Sequence, residues 1–343
     1  MEATRKAIVV GCGGMGQAWI RNLQSNARAE IVGLVDLRQD VAKEIAESNG
    51  LDTARVFAGV GEAIDACDAD FVVDVTVPEA HCPVTLNALG AGLPVIGEKP
   101  MAESMESARK MVAASEKSGK LYMVSQSRRY HVGHASCRQF IKSGVIGPVS
   151  TVNCDFYIGA HFGGFRDNMP SPLILDMAIH HFDLCRFLID ADPVAVYAHE
   201  FNPKGSWYSG DVAASVIFEM SDGIVFTYRG SWCAEGHPTS WNGDWRIIGD
   251  RGTVLMEKDR PAEAHAVIDM QQQGFHRDVA PSTAQDVEIN GDGIAGSLNE
   301  FLDWLDNGAT PQGECHDNIK SLAMVHAAIE SSGKKQRQVI QIG

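Results

Sequence analysis

Ala7-Ile8-Val9-Val10-Gly11-Cys12-Gly13-Gly14-Met15-Gly16 is the stretch that decides the fold. Four apolar residues without polar alternation read as a strand buried on both faces. A Gly-x-Gly-x-x-Gly spacing follows at once and opens a segment of helical periodicity. Gly11 permits the tight turn, Gly13 lets backbone approach a pyrophosphate, and Gly16 allows close packing of helix on sheet. The turn opens the first helix, whose N-terminus faces the phosphates. In a chain with 34 glycines the spacing alone says little; its place between strand and helix gives it meaning. Asp36 ends the second apolar run, about 20 residues beyond Gly16, where a carboxylate accepts hydrogen bonds from the adenosine ribose hydroxyls. The same charge repels a 2′-phosphate, so NAD is expected over NADP, with the nearby Arg38 as the opposing sign.

Outward from this turn, apolar runs alternate with amphipathic stretches up to about Val124. Ala7 to Val10, Ile31 to Val35, Phe71 to Thr76, Pro94 to Ile96 and Leu121 to Val124 read as parallel strands. Helical spacing occupies Gly16 to Asn26, Asp40 to Asn49, Glu62 to Ala66, His81 to Ala91 and Ser104 to Ser118, with Gly50, Gly92 and Gly119 as stops. This alternation predicts an α/β Rossmann domain, a doubly wound parallel sheet, over residues 1–124.

Residues 125–343 read as an α+β domain with a largely antiparallel open sheet. Val149 to Ile158 alternates strictly, and Val194 to Glu200, Ala213 to Met220, Ile224 to Ser231, Trp245 to Ile248 and Thr253 to Glu257 continue the series. Ser221-Asp222-Gly223 and Gly249-Asp250-Arg251-Gly252 suit hairpin turns. Helices are expected at Ala135 to Ser143, Leu173 to Ile189, from a Ser297-Glu300 capping box to Asn307, and over Asp317 to Ser332. Residues 258–296 are polar and aperiodic, a sheet-edge excursion or long loop, and Gln338 to Ile342 is expected to close as a strand.

The 343 residues carry 29 basic and 44 acidic side chains, a formal charge of −15. Such a surface repels phosphate backbones and anionic lipid, so neither nucleic acid nor membrane is an expected partner. Arg128-Arg129 and Lys334-Lys335-Gln336-Arg337 are the dense basic clusters, both read as solvated. The eight cysteines show no C-x-x-C pair and no cysteine-histidine cluster at zinc spacing, so no metal is expected. They read as reduced thiols of a cytoplasmic protein without signal peptide or membrane span.

Gly97-Glu98-Lys99-Pro100, with the glycine turn, Thr76-Val77-Pro78-Glu79-Ala80-His81 and Asp176-x-x-x-His180-x-x-Asp183, resembles the glucose-fructose oxidoreductase, inositol dehydrogenase and MocA (Gfo/Idh/MocA) family across nearly the whole chain. Val77 stands where the family usually has a proline, and Ser171-Pro172 where many members have a glycine pair. The resemblance implies hydride exchange between nicotinamide and a secondary alcohol or ketone of a sugar, cyclitol or related polyol. It places the cofactor against Gly11, Gly13, Gly14, Met15, Gly16, Asp36, Thr76, Val77, Pro78, His81, Glu98 and Lys99. Catalysis falls to Lys99, which stabilises the alkoxide, and to His180 as general acid/base oriented by Asp176.

On a regular helix Asp176, His180 and Asp183 stand at i, i+4 and i+7, opposite the stripe Ile174, Ala178, Cys185 and Ile189. His181 points about 100 degrees away and is not expected to share the task. Asp183 is expected to brace the helix through a nearby cation or backbone donor. Tyr157, His161 and Arg166 are candidates for the substrate wall. Trp207, Trp232, Trp241 and Trp245 read either as a stacking surface for a sugar or as core and subunit-contact residues. Trp232 and the alternating strands suggest a homodimer or homotetramer through the second-domain sheet. Two other readings stay open within the resemblance: an NAD-dependent glycosidase and a non-catalytic nucleotide-binding regulator.

Overall fold

β1 (Arg5–Val10) is buried from Ala7 to Val10, as an apolar strand with both faces covered must be. The computed structural model describes residues 4–51 and 54–342. After β1 come α1 (Gly14–Gln24), β2 (Ala29–Val35), α2 (Gln39–Ser48), β3 (Arg55–Phe57), α3 (Val60–Ala66), β4 (Phe71–Asp74) and α4 (Pro78–Gly90). Next are β5 (Val95–Glu98), α5 (Met105–Ser118) and β6 (Tyr122–Ser125). All six strands pair in parallel, in the order β3-β2-β1-β4-β5-β6. Between β1 and β4 the order reverses, and in such sheets ligands bind beyond the strands' carboxyl ends at that switch point. α5 shows the punctuation the sequence carries: Ser104 accepts from Ser107 N–H at 3.2 Å, and Gly119 stops the helix at φ 65°. β3, three residues long, is absent from the sequence reading.

The chain then runs through α6 (Val132–Lys142), β7 (Val149–Tyr157), a π-helical segment (Leu173–Ala178) and α7 (Ile179–Ile189). β8 (Pro193–Phe201), β9 (Ala213–Met220), β10 (Val225–Ser231), β11 (Asp244–Gly249), β12 (Gly252–Met256), β13 (Glu263–Val267) and β14 (Val279–Thr283) follow. α8 (Ile294–Asn307), α9 (Cys315–Lys334) and β15 (Gln338–Val339) complete it. The second sheet has the order β14-β13-β12-β11-β7-β10-β9-β8-β15. Its pairings are antiparallel except β7 with β10. Residues 258–296 therefore hold β13 and the edge strand β14, as a sheet-edge excursion would.

Two compact units emerge, one formed by residues up to Tyr130 with Asn290–Leu322, the other by His131–Ile289 with Ala323–Ile342. This differs from a single cut at residue 124, because the chain returns to its first unit. Phe301 of α8, fully buried, meets Phe71 of β4 at 5.2 Å between ring centroids. Arg28 bonds Asp303 and Asp306 of α8, each at 2.7 Å. The capping box is not used: α8 begins at Ile294, which puts Ser297 inside the helix and buried. Glu300 instead accepts the Gln312 backbone N–H at 2.8 Å and the Tyr130 hydroxyl at 2.5 Å. The Arg128-Arg129 pair is not a solvated turn either. Arg129 is buried, donating to the Gln312 carbonyl at 2.7 Å and pairing with Asp317 at 2.8 Å.

In the second unit α7 packs on the sheet through Phe182, which meets Phe218 at 4.8 Å and Tyr228 at 5.3 Å. Trp232 and Trp245 are buried, so Trp232 belongs to the core and not to an outer contact face. Glu200 is the buried carboxyl of β8; it accepts the Ser171 hydroxyl at 3.3 Å while its own N–H donates to Ser332 Oγ at 2.8 Å. Burial pushes it from 4.5 up to about 7, against the Ser171 hydrogen bond, with Asp211 adding to the rise. An acid whose folded pKa is raised contributes stability below its unfolded pKa, and that contribution is lost as pH climbs through the folded value. Glu200→Gln is therefore expected to flatten the pH dependence. Between pH 5 and pH 8 the wild type should lose on the order of 2–3 kcal/mol more than the variant in urea melts. Parallel curves for the two proteins would contradict this.

Candidate functional site

The turn after β1 is built as a nucleotide cradle. Gly11 has φ +99°, and a Cβ on it would lie 2.6 Å from the Val75 carbonyl oxygen. A Cβ on Gly16 would lie 2.1 Å from the Gly11 oxygen. Gly13 and Gly14 face open space, with nothing within 4 Å of an added Cβ. Sterics therefore explain Gly11 and Gly16, whereas Gly13 and Gly14 keep a surface clear at the start of α1. No side chain caps α1, so its first N–H groups face that clear surface.

Asp36, just past β2, accepts from the Cys12 and Arg38 N–H groups, each at 2.9 Å. These bonds fix the carboxylate beside the glycine turn. The Arg38 side chain is 70% exposed and its Nε stands 4.0 Å from Asp36. Leu37, 93% exposed, is an apolar surface beside this carboxylate that the sequence reading passed over. Met15 and Val77 are exposed too, at 50% and 63%. All three follow the carboxyl ends of parallel strands, where an adenine or nicotinamide ring would find apolar cover.

Pro78 takes the first turn of α4, and Val77 caps it by conformation alone. Behind them Asp74 accepts the Thr76 hydroxyl at 2.6 Å and pairs with His81 Nδ1 at 3.1 Å. His81 thus serves to hold the turn, being 2% exposed. Glu98 is buried as well, taking Trp19 Nε1–H at 2.7 Å and the Lys99 N–H at 3.1 Å. Its carboxyl is raised by burial, against the Trp19 hydrogen bond and the Lys99 charge. Glu98 and His81 brace the loops that carry Thr76, Val77 and Lys99.

In the second unit the Asp/His segment is not one regular helix. Leu173–Ala178 is wound as a π-helix before α7 begins at Ile179. Asp176 therefore lies in the π-helical segment and His180 in the first turn of α7. Interruptions of this kind are frequent at functional sites. Arg166 Nε donates to Asp176 Oδ2 at 2.6 Å, and the guanidinium lies 5.0 Å from the Phe162 ring and 4.7 Å from Phe165. From Ile179 to Leu188 every residue is buried except His180. His181 is enclosed, 4.9 Å from Phe156 and 5.5 Å from Tyr228 between ring centroids. Asp183, buried, has Arg186 at 4.0 Å, in keeping with a bracing role.

His161 stacks on Trp207 at 3.7 Å and pairs with Glu235 at 2.8 Å. Trp241 is 47% exposed beside Phe162. Of the four tryptophans in this unit, Trp232 and Trp245 are buried, Trp207 is half-buried and Trp241 is exposed. Tyr157 is not brought to this group. Strand alternation puts Phe156 toward His181 of α7, so Tyr157 lies on the sheet's other face with Asp155, which binds Arg229 at 2.6 Å.

A parallel sheet with this cradle defines a dinucleotide-binding protein. The model described as "oxidoreductase family, NAD-binding Rossmann fold" matches residues 5–126, and that of the GFO/IDH/MocA C-terminal domain matches residues 134–255. The chain belongs to the Gfo/Idh/MocA family of oxidoreductases. Over 98% of both chains it is 29% identical to 1,5-anhydro-D-fructose reductase of Ensifer adhaerens. To inositol 2-dehydrogenase of Ralstonia nicotianae it is 31% identical, over 63% of this chain and 64% of that one. An Agrobacterium radiobacter oxidoreductase, solved with NAD+, L-tartaric acid and magnesium, shares the fold with TM-score 0.86 at 20% identity, covering 98% of this chain and 99% of that one. Among the described residues no helix is long and apolar enough to cross a membrane.

The two kinds of glycine separate experimentally. Gly16→Ala is expected to lower the melting temperature whether or not NAD is present. Gly13→Ala should leave the apo melting temperature within a degree or two while weakening NAD binding about tenfold, roughly 1.4 kcal/mol. Fluorescence titration and thermal melts read the two effects; equal stability losses in both variants would contradict the assignment.

Proposed function

We propose that the protein catalyses NAD-dependent interconversion of a secondary alcohol and ketone on a sugar, cyclitol or related polyol. The observation that carries the reading is His180: it alone stays reachable in the otherwise buried run 179–188, next to the π-helical segment whose Asp176 is bonded by Arg166.

Bound NAD would lie against Gly11, Gly13, Gly14, Met15, Gly16, Asp36, Thr76, Val77 and Pro78, and supplies the acceptor for the carbinol hydride. His180 takes the hydroxyl proton during oxidation and returns it during reduction. Asp176, itself held by Arg166, orients the His180 imidazole. Lys99 donates to the substrate oxygen as alkoxide character develops, then releases a neutral carbonyl. His161, Trp207 and Arg166 present an imidazole, an indole and a guanidinium to the hydroxyls and apolar face of a polyol. Asp36 selects NAD by repelling a 2′-phosphate.

His180→Ala and Lys99→Ala should each lower turnover by about 10²–10⁴-fold while NAD still quenches protein fluorescence. A polyol and sugar panel read at the reduced-nicotinamide absorbance finds the substrate for this comparison. Near-normal turnover in both variants would sink the assignment.

We also propose a homodimer or homotetramer. Its support is the sheet's outward face, where Val194, Tyr197, Ile217 and Val225 are exposed on the neighbouring strands β8, β9 and β10. Light scattering at micromolar concentration should give a multiple of 37.0 kDa; a strict monomer would refute it.

A further inference from the structure

We propose that Glu314, Cys315 and His316, backed by Glu116, form a site for one zinc-class divalent cation, separate from the nucleotide cradle. Glu314 Oε1, Cys315 Sγ and His316 Nδ1 all lie within 4.8 Å of one another. The Sγ–Nδ1 distance is 3.7 Å, Sγ–Oε1 is 2.9 Å and Nδ1–Oε1 is 2.7 Å. A tetrahedral zinc with its usual sulfur, nitrogen and oxygen bond lengths sets these three edges at about 3.5, 3.5 and 3.3 Å. The sulfur–nitrogen edge already has that length. Only the Glu314 oxygen must withdraw, by about 0.6 Å, within reach of a side-chain rotation.

The backbone prepares this convergence. Glu314 precedes α9, and its carbonyl accepts the Asp317 and Asn318 N–H groups at 3.0 and 2.9 Å. It also bridges to Met123 of β6, and its Oε2 takes the His316 N–H at 2.9 Å. The three donors therefore hang from a fixed helix start.

Glu116, in the last turn of α5 and 200 residues from His316, holds His316 Nε2 at 2.9 Å. A carboxylate on the far nitrogen is the usual second partner of a metal-binding histidine: it orients the ring and leaves the other nitrogen for the ion. Asp317 is committed to Arg129 and does not compete. Thiolate, imidazole and carboxylate together suit zinc or cobalt better than magnesium or calcium. His316 is 52% exposed and Glu116 61%, which gives the ion an entry path and room for a water as fourth ligand. Bound there, the ion would tie the start of α9 to the end of α5 through His316 and Glu116. Its donors are consecutive and their brace is distant, so no zinc spacing marks it in the sequence.

The test uses the full-length, tag-free chain, stripped with chelator and then dialysed against zinc alone. One zinc per chain should bind, with affinity reduced about 100-fold in Cys315→Ser and His316→Ala and about tenfold in Glu116→Gln. Cobalt should give a thiolate-to-metal charge-transfer band that Cys315→Ser abolishes. Cys315 is buried, so the half-exposed His316→Ala decides the matter if the serine variant fails to fold. Less than half an equivalent of zinc at 100-fold molar excess, or a loss below tenfold in His316→Ala, would overturn the proposal.

Discussion

The contact between Gly16 and the Gly11 carbonyl, where an added Cβ would stand 2.1 Å from the oxygen, sets the position of the first helix. Because α1 can pack so closely, its N-terminus lies directly over the end of β1, and Asp36 after β2 comes within hydrogen-bond reach of Cys12. The clear surface at Gly13 and Gly14 follows from the same geometry. So does the local solution to an electrostatic problem: a chain of net charge −15 must hold a pyrophosphate. Backbone amides at an uncapped helix start offer a local attraction that the net charge does not.

The first sheet was legible because its strands are apolar on both faces, and its helices carry their own stops. Gly50, Gly92 and Gly119 all have positive φ, so the punctuation read from composition is physical. The antiparallel sheet was legible from period-two alternation. What remained hidden depends on chain segments distant in sequence. Nothing near Arg129 announces Asp317, and nothing in Ser297-Glu300 shows that α8 starts earlier and packs Phe301 onto Phe71. β3 was too short to show a period.

Residue types were legible at the candidate site, but their local geometry was not. The spacing from Asp176 to His180 fits an α-helix, and no periodicity distinguishes a π-helical segment from it. The Arg166–Asp176 bond joins a loop residue to that segment, which charge complementarity allows but does not specify. Tyr157 shows the opposite failure: its position at a strand end suggested a pocket wall, and the pleat turns it to the other face. Glu98 and His81 occupy positions the resemblance gives to the cofactor, yet their side chains are spent on Trp19 and Asp74, behind the loops that would touch the nucleotide.

Hydride exchange between a polyol carbinol and nicotinamide is the central claim, and isotope transfer tests it most directly. The purified protein would be incubated with NAD and a panel of polyols and cyclitols carrying deuterium on their carbinol carbons, and the recovered nicotinamide examined by proton NMR. Stereospecific deuterium at C4 of the reduced ring, from at least one polyol, is the predicted result. NAD that binds the protein yet never acquires deuterium from any member of the panel would contradict the account.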